Sequence, residues 1–483
     1  MPSANPTPVK VDYASFLSDE AKGRVRSQLK ELRPYFEIPG MISFGGGYPH
    51  PSTWPINGMT LSVPFAGKSV FVPGFENRDS STLLPLAKYT PPAKTSVVGP
   101  DLSNDLQYSA GMGIPFMVKW LTEHVKKMHD PPYPDGQWSV LTTAGNTDGQ
   151  DGIYRTLFNK GDSVLLEEFA YPAALTTAQS QGIVPAAVPM DGDGVVPADL
   201  DKMLEEWDEV ARGGRRPKAL LLVPTCSNPT GVTYPALRKR EVYAVCRKWN
   251  ILIIEDDPYC YLQIRPDGAD SPLVPSFLSM DIDGRVVRMD SFSKFIAPGS
   301  RCGWITGPKP LVQAIAHKTE SSTNNPSGIS IATIGAVIQA WGGHEGLENR
   351  YLPHISEVYS QRGLRFVALL EKYIPGLTAE WPQPSGGMFL WLRLRIETHP
   401  SFLSGRSTPT EIQDRVFKTF IEERILTAPS SYFKTPGGPE WSREEEAKRI
   451  FVRLSFSLPT PEEMEEGIKR MARGLKKEWG LEQ

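Results

Sequence analysis

The sequence predicts an α/β protein: a large domain built on a mostly parallel, doubly wound sheet, followed by a smaller α+β domain. Three observations carry that expectation. Short apolar runs stand at 139–142, 163–166, 219–223, 251–254, 286–289 and 303–306. Helix candidates at 148–158, 234–249 and 309–320 fall between them, and alternating β and α segments wind a sheet with helices on both faces. The runs are mostly four to five residues long, β-branched or Leu-rich and apolar almost throughout, as strands covered on both faces are.

The first 105 residues read as an N-terminal arm, part of a small domain and an irregular excursion. They hold a polar helix candidate over 13–32, then Met41-Ile42-Ser43-Phe44 and Gly45-Gly46-Gly47. Residues 56–105 are rich in Pro, Ser and Gly with weak periodicity, and a connection that long is usually functional. Residues 106–345 form the large domain and 346–483 the small one. The latter carries a long helix near 350–372, strands at 387–394 and 450–456, and an amphipathic helix at 460–478.

Composition narrows the function. The 52 basic and 55 acidic residues leave a net charge of −3, which speaks against a nucleic-acid or polybasic membrane partner. No run of 18 apolar residues predicts a membrane span. Cys226, Cys246, Cys260 and Cys302 form no C-x-x-C pair and fit a reducing compartment. The polar Met1 to Lys10 segment lacks a secretory h-region, so the cytoplasm is the default location. The seven histidines show no metal-ligand spacing, and no metal is expected.

In an open α/β sheet, ligands bind beyond the carboxyl ends of the strands. Four runs are followed in turn by Ala144-Gly145-Asn146-Thr147-Asp148, by Ser227-Asn228-Pro229-Thr230-Gly231, by Glu255-Asp256-Asp257-Pro258-Tyr259, and by Asp290-Ser291-Phe292-Ser293-Lys294 with Arg301 beyond. A phosphate calls for helix N-terminal amides, hydroxyls and an arginine. A lysine among cations can form a Schiff base. A carboxylate can keep a pyridine nitrogen protonated, and a phenol and an amide can bond a ring hydroxyl. Together these demands describe pyridoxal 5'-phosphate.

The chain resembles the fold-type I pyridoxal-phosphate aminotransferases, within them the aromatic amino-acid, 2-aminoadipate and kynurenine group with its fungal members. The resemblance rests on Leu106-Gln107-Tyr108-Ser109-Ala110-Gly111, Asn228-Pro229-Thr230-Gly231, Ile254-Glu255-Asp256-Asp257-Pro258-Tyr259, Asp290-Ser291-Phe292-Ser293-Lys294, Gly386-Gly387-Met388-Phe389-Leu390-Trp391 and Arg453-Leu454-Ser455-Phe456-Ser457, in the family's order over about 13–475. It implies that Lys294 carries the cofactor as a Schiff base and shuttles the proton. Asp256 would pair with the pyridine nitrogen, Tyr259 and Asn228 with the ring oxygen, and Tyr171 would stack on the ring. Asn146, Thr147, Ser291, Ser293 and Arg301 would hold the phosphate, joined by Tyr108 from the other subunit of a homodimer. Arg453 would grip the substrate carboxylate, with Gly47 and Asn228 beside it. The implied reaction is ping-pong transfer from an aromatic amino acid (Phe, Tyr, Trp or kynurenine) to a 2-oxo acid such as 2-oxoglutarate. The alternatives are 2-aminoadipate as donor, or a lyase or decarboxylase on the same scaffold.

The family pattern is not met everywhere. Its helix cap often carries Ser-Gln where this chain has Asn146-Thr147, and an N-terminal substrate arginine has no clear match, Lys30 and Arg24 being nearest. Glu255 and Asp257 read as solvent or cap residues, Phe389 and Trp391 as core, and Cys226 as a buried thiol. A cofactor-sensing DNA-binding regulator would need a longer, more basic N-terminal region than the residues before Gly45.

Overall fold

Strand and helix boundaries follow local chemistry. The computed structural model describes residues 8–24, 56, 58–64, 81–88, 100–264 and 272–481. The N-terminal stretch forms two short helices, α1 (Tyr13–Phe16) and α2 (Asp19–Gly23), in place of one. Ser18 breaks the run: its hydroxyl caps α2 and donates to Arg155 O, and its N–H donates to Thr156 O. The expected helix beyond Arg24 and the 41–47 segment lie outside the described residues.

The excursion is not wholly irregular. Strands β1 (Gly58–Pro64) and β2 (Ser81–Ala87) pair antiparallel along their full length. Met59 and Leu61 on one strand, and Leu84 and Leu86 on the other, turn toward Leu102, Ala332 and Ala336. This is the period-2 burial of a half-covered strand, which Pro85 within β2 disguises in the sequence.

The large sheet contains β3 (Trp138–Thr143), β4 (Asp162–Glu167), β5 (Val184–Val188), β6 (Arg215–Leu222), β7 (Leu252–Asp256), β8 (Val286–Ser291) and β9 (Gly303–Pro308). Its order is β3-β9-β8-β7-β6-β4-β5. All six expected strands form. The edge strand β5, Val-Pro-Ala-Ala-Val, escapes sequence reading because proline and alanine weaken its β signal. β9 runs antiparallel to both neighbours, β8 and β3, and the other pairings are parallel. Helices α3 (Pro115–Met128), α4 (Asn146–Leu157), α5 (Pro172–Ser180), α6 (Ala236–Lys248) and α7 (Lys309–Glu320) connect or cover the strands.

The C-terminal unit has a four-stranded antiparallel sheet in the order β10 (Ala379–Glu380), β11 (Phe389–Leu394), β13 (Phe451–Ser455), β12 (Ala428–Pro429). Helices α8 (Leu352–Tyr373) and α9 (Pro409–Glu422) pack against α10 (Pro461–Trp479), and α9 also contacts β12. α10 is specified at both ends: Thr460 and Glu463 form a capping box, and Gly480 closes it at φ 65°. Its Met464, Ile468, Met471, Leu475 and Trp479 are buried, one stripe at helical spacing. Truncating one such buried side chain to alanine costs about 2–5 kcal/mol. Among the described residues no helix is long and apolar enough to cross a membrane.

Candidate active site

The site is assembled by strand ends. Asn146 and Thr147 open α4 directly after β3, Asn228 follows β6, and Asp256 ends β7. Ser291 ends β8, and Ser293 and Lys294 sit in the 3-10 turn that follows it. Arg453 comes across from β13 of the other sheet. With Tyr171, Tyr259 and Arg301 these residues line one cavity of about 470 Å³. A volume of this order suits a cofactor with a small substrate.

The cavity is graded in charge. Asp256 is buried, and its Oδ1 accepts from Asn146 Nδ2 at 2.6 Å. Burial raises its carboxyl to about 6, opposed by that hydrogen bond. Burial lowers the Lys294 ammonium; Asp256 opposes the shift, and Arg301 and Arg453 add to it. Asn228 Oδ1 accepts from Arg453 Nη1 at 2.7 Å. The Tyr259 phenol is held above its ordinary range by burial. The Arg453 guanidinium lies between the Phe389 and Phe433 rings, 4.6 and 4.9 Å from their centroids. That sandwich restricts the rotamers of a long side chain and presents its fork.

At the opposite end Arg301 is braced by carbonyls. Its Nη2 donates to Ala144 O at 3.0 Å and its Nη1 to Pro298 O at 3.1 Å, with Ser293 Oγ at 3.4 Å. Ser291 Oγ accepts from Ser293 N and donates to Ser293 Oγ, fixing the turn before Lys294. Gly145 has φ +89°, and a Cβ there would stand 2.2 Å from Arg301 Nη2. The glycine therefore lets the guanidinium close over the start of α4, where helix amides and its dipole favour an anion.

Most of the sequence-predicted residues meet here; among the described residues Tyr108 and Arg24 do not. Tyr171 lines the cavity and is 39% exposed. Tyr108 is 63% exposed and is not in the lining. Gly47 lies outside the described residues, as does Lys30. Arg24 pairs with Glu20 and donates to Ser321 Oγ, away from the cavity. Phe389, read as core from its apolar strand, is both buried and part of the wall. Trp391 packs with Phe169 and Phe433. Glu255 and Asp257 are not solvent residues: both are buried against Arg288. Glu255 does act as a cap, accepting from the N–H groups of Phe277 and Leu278. Cys226 is buried and free, and burial pushes its thiol up to about 12.

Sequence reasoning missed Gln150, which lines the site one helical turn after Asn146; the i, i+4 spacing could have found it. Nothing local marks Phe433. Away from the cavity, His124, His344 and Glu348 bring nitrogen and carboxylate atoms within 4.8 Å of one another. This cluster is joined by hydrogen bonds, each histidine Nδ1 lying 3.0 Å from Glu348 Oε1.

The donor set fits pyridoxal phosphate on structural grounds. Asp256 is a buried carboxylate, Asn146 Oδ1 is a buried acceptor without a hydrogen-bond partner, and the Gly145–Arg301 cradle is shaped for an anion. Comparison with known proteins agrees. The family model "Aminotransferase class I and II" matches residues 103–471. An aromatic amino acid aminotransferase of Schizosaccharomyces pombe is 32% identical over 98% of this chain and 97% of its own. An L-tyrosine:2-oxoglutarate aminotransferase of Tapinella panuoides is 36% identical over 82% of this chain and 77% of its own. The crystal structure of aminotransferase Aro8 from Candida albicans superposes with a TM-score of 0.87 at 30% identity, covering 98% of this chain and 100% of that one. The chain belongs to the class I and II aminotransferases. It is a transaminase of the fold-type I architecture, with pyridoxal phosphate as cofactor.

Proposed function

We propose that this enzyme moves the amino group of phenylalanine, tyrosine or tryptophan to 2-oxoglutarate by a ping-pong reaction in the cavity around Lys294. One observation carries the reading: the ends of β3, β6, β7 and β8, with Arg453 from the second sheet, bring an amine, a buried carboxylate and a guanidinium to one pocket. The names of the relatives in Schizosaccharomyces pombe and Tapinella panuoides support the substrate class.

Held by these residues, pyridoxal phosphate would supply the electron sink for the pair left at the amino acid's Cα. The chain's own groups do the rest. Lys294 is the covalent anchor, and its Nζ takes the Cα proton; its lowered ammonium favours the neutral amine that both tasks need. Asp256 holds a proton at the ring nitrogen. Tyr259 and Asn228 bond the ring oxygen, and Tyr171 covers the ring. Asn146, Thr147, Ser291, Ser293 and Arg301 take the phosphate. Arg453 binds the carboxylate common to the amino acid and the oxo acid, so one site serves both half-reactions.

We assign residues 106–345 to the large domain, 346–483 to the small one, and 1–105 to an N-terminal arm, part of the small domain and the excursion. The active unit is a homodimer in which Tyr108 reaches the partner's phosphate site. The test is an assay of phenylpyruvate and glutamate from phenylalanine and 2-oxoglutarate, with tyrosine, tryptophan and 2-aminoadipate as competing donors. Transfer from the aromatic donors, abolished by Lys294→Ala in a folded protein, supports the reading. Substantial turnover by that variant sinks it, and transfer from 2-aminoadipate alone moves the donor to the dicarboxylic class.

A further inference from the structure

Beneath the cavity, on the opposite face of the sheet, lies a charged cluster that the proposed roles leave unused. Side chains alternate along a strand. On β7, Asp256 faces the cavity, so Glu255 and Asp257 face away. On β8, Ser291 lines the cavity while Arg288 and Asp290 lie on the far face. The register aligns Arg288 with Glu255 and Met289 with Asp256.

Arg288 is fully buried and engages three carboxylates at once. Its Nε and Nη2 donate to Asp290 Oδ2 and Oδ1 at 2.8 and 2.7 Å. Its Nη1 donates to Asp257 Oδ2 at 2.9 Å and lies 3.1 Å from Glu255 Oε1. Thr225 Oγ1 donates to the same Asp257 oxygen at 3.1 Å. Lys239, His129, Cys260 and Tyr261 are further titratable groups around Arg288. The Lys239 Nζ donates to Pro275 O at 2.8 Å, and His129 Nδ1 lies 3.0 Å from Ser276 Oγ.

One guanidinium thus grips both chain neighbours of Asp256 and the residue before Ser291, four positions ahead of Lys294. We propose that Arg288 is a positioning residue of the transamination, cross-linking the ends of β7 and β8 from below so that Asp256 and Lys294 keep a fixed separation. The proposal rests on the roles given to Asp256 and Lys294 above. A planar fork is needed because it can satisfy Asp290 through two nitrogens while a third reaches the β7 acids; a lysine ammonium keeps the charge but cannot span them.

The test uses the holoenzyme with Arg288→Lys and, should that protein not fold, the near-isosteric Asp290→Asn. Three quantities are read: kcat, KM, and the pH midpoint of the bound cofactor's visible absorption. A displacement of about 1 Å at a reacting group can cost about 100-fold in rate. The expectation is therefore a fall in kcat of at least about 10-fold, KM within about threefold, and a midpoint moved by at least about half a pH unit. Folded variants with parental kcat and midpoint overturn the proposal. So does a lowered melting temperature with those two quantities unchanged, which assigns the cluster to stability alone. If the parent enzyme itself shows no cofactor band that an amino acid bleaches, the reading of Asp256 and Lys294 is what fails.

Discussion

Asp256 shows how a single burial sets the chemistry. A carboxyl taken out of water prefers its neutral form, and here burial raises it to about 6. A raised folded-state pKa gives stability that is fully present below the unfolded value near 4 and is lost as pH rises through about 6. Above that pH the native state bears the cost of a buried anion, of the order of 3 kcal/mol for a shift of about two units. Asp256→Asn keeps the acceptor for Asn146 and removes the ionisation. Chemical denaturation of the cofactor-free proteins should find the variant more stable at pH 8, with the gap closing between pH 6 and pH 4. A gap independent of pH contradicts the assignment. The same substitution should remove most transaminase activity, because a neutral amide does not hold the proton at the ring nitrogen.

At the scale of elements, the cradle depends on how α4 begins. Gly145 at φ +89° clears space for Arg301, and a Cβ would stand 2.2 Å from its Nη2. Gly145→Ala should displace the guanidinium and weaken cofactor binding by at least about 10-fold, on the scale of one lost charge-assisted hydrogen bond. Absorbance titration of cofactor-free protein measures it, and unchanged affinity would show that the cradle does not bear the phosphate. This element was legible in the sequence: a short strand, a glycine, two polar residues and a helix are enough to place it. So were the strand ends carrying Asn228, Asp256, Ser291 and Lys294, because chain order alone puts them at one edge of a wound sheet. Other features depend on partners distant in sequence. Arg288 sits in a run that reads as an apolar strand, and its partners Glu255 and Asp257 become visible only when β7 and β8 pair. Phe389 has the alternation of a core strand, and only the approach of the large sheet makes it a wall. The Phe433 ring over Arg453 has no local signal at all. β9 looks like its parallel neighbours because burial on both faces does not encode direction.

The whole molecule joins two sheets that meet at the cavity, with Arg453 carried by the smaller one. Tyr108 is 63% exposed and outside the lining of its own chain's cavity; the proposed dimer has it complete the site of the second subunit. Mixed dimers of Lys294→Ala and Tyr108→Ala chains test this. Each mixed dimer contains one site with both native residues, so activity should exceed that of either parent variant; activity equal to the average of the parents would leave Tyr108 in its own subunit. The central claim, that Lys294 and its neighbours run both halves of an amino transfer on one cofactor, is tested most directly by a visible absorption spectrum of the purified enzyme. It is recorded alone, after phenylalanine, and after excess 2-oxoglutarate. The cofactor band should disappear with phenylalanine and return with the oxo acid. A band that stays unmoved by phenylalanine, tyrosine, tryptophan and 2-aminoadipate would contradict the account.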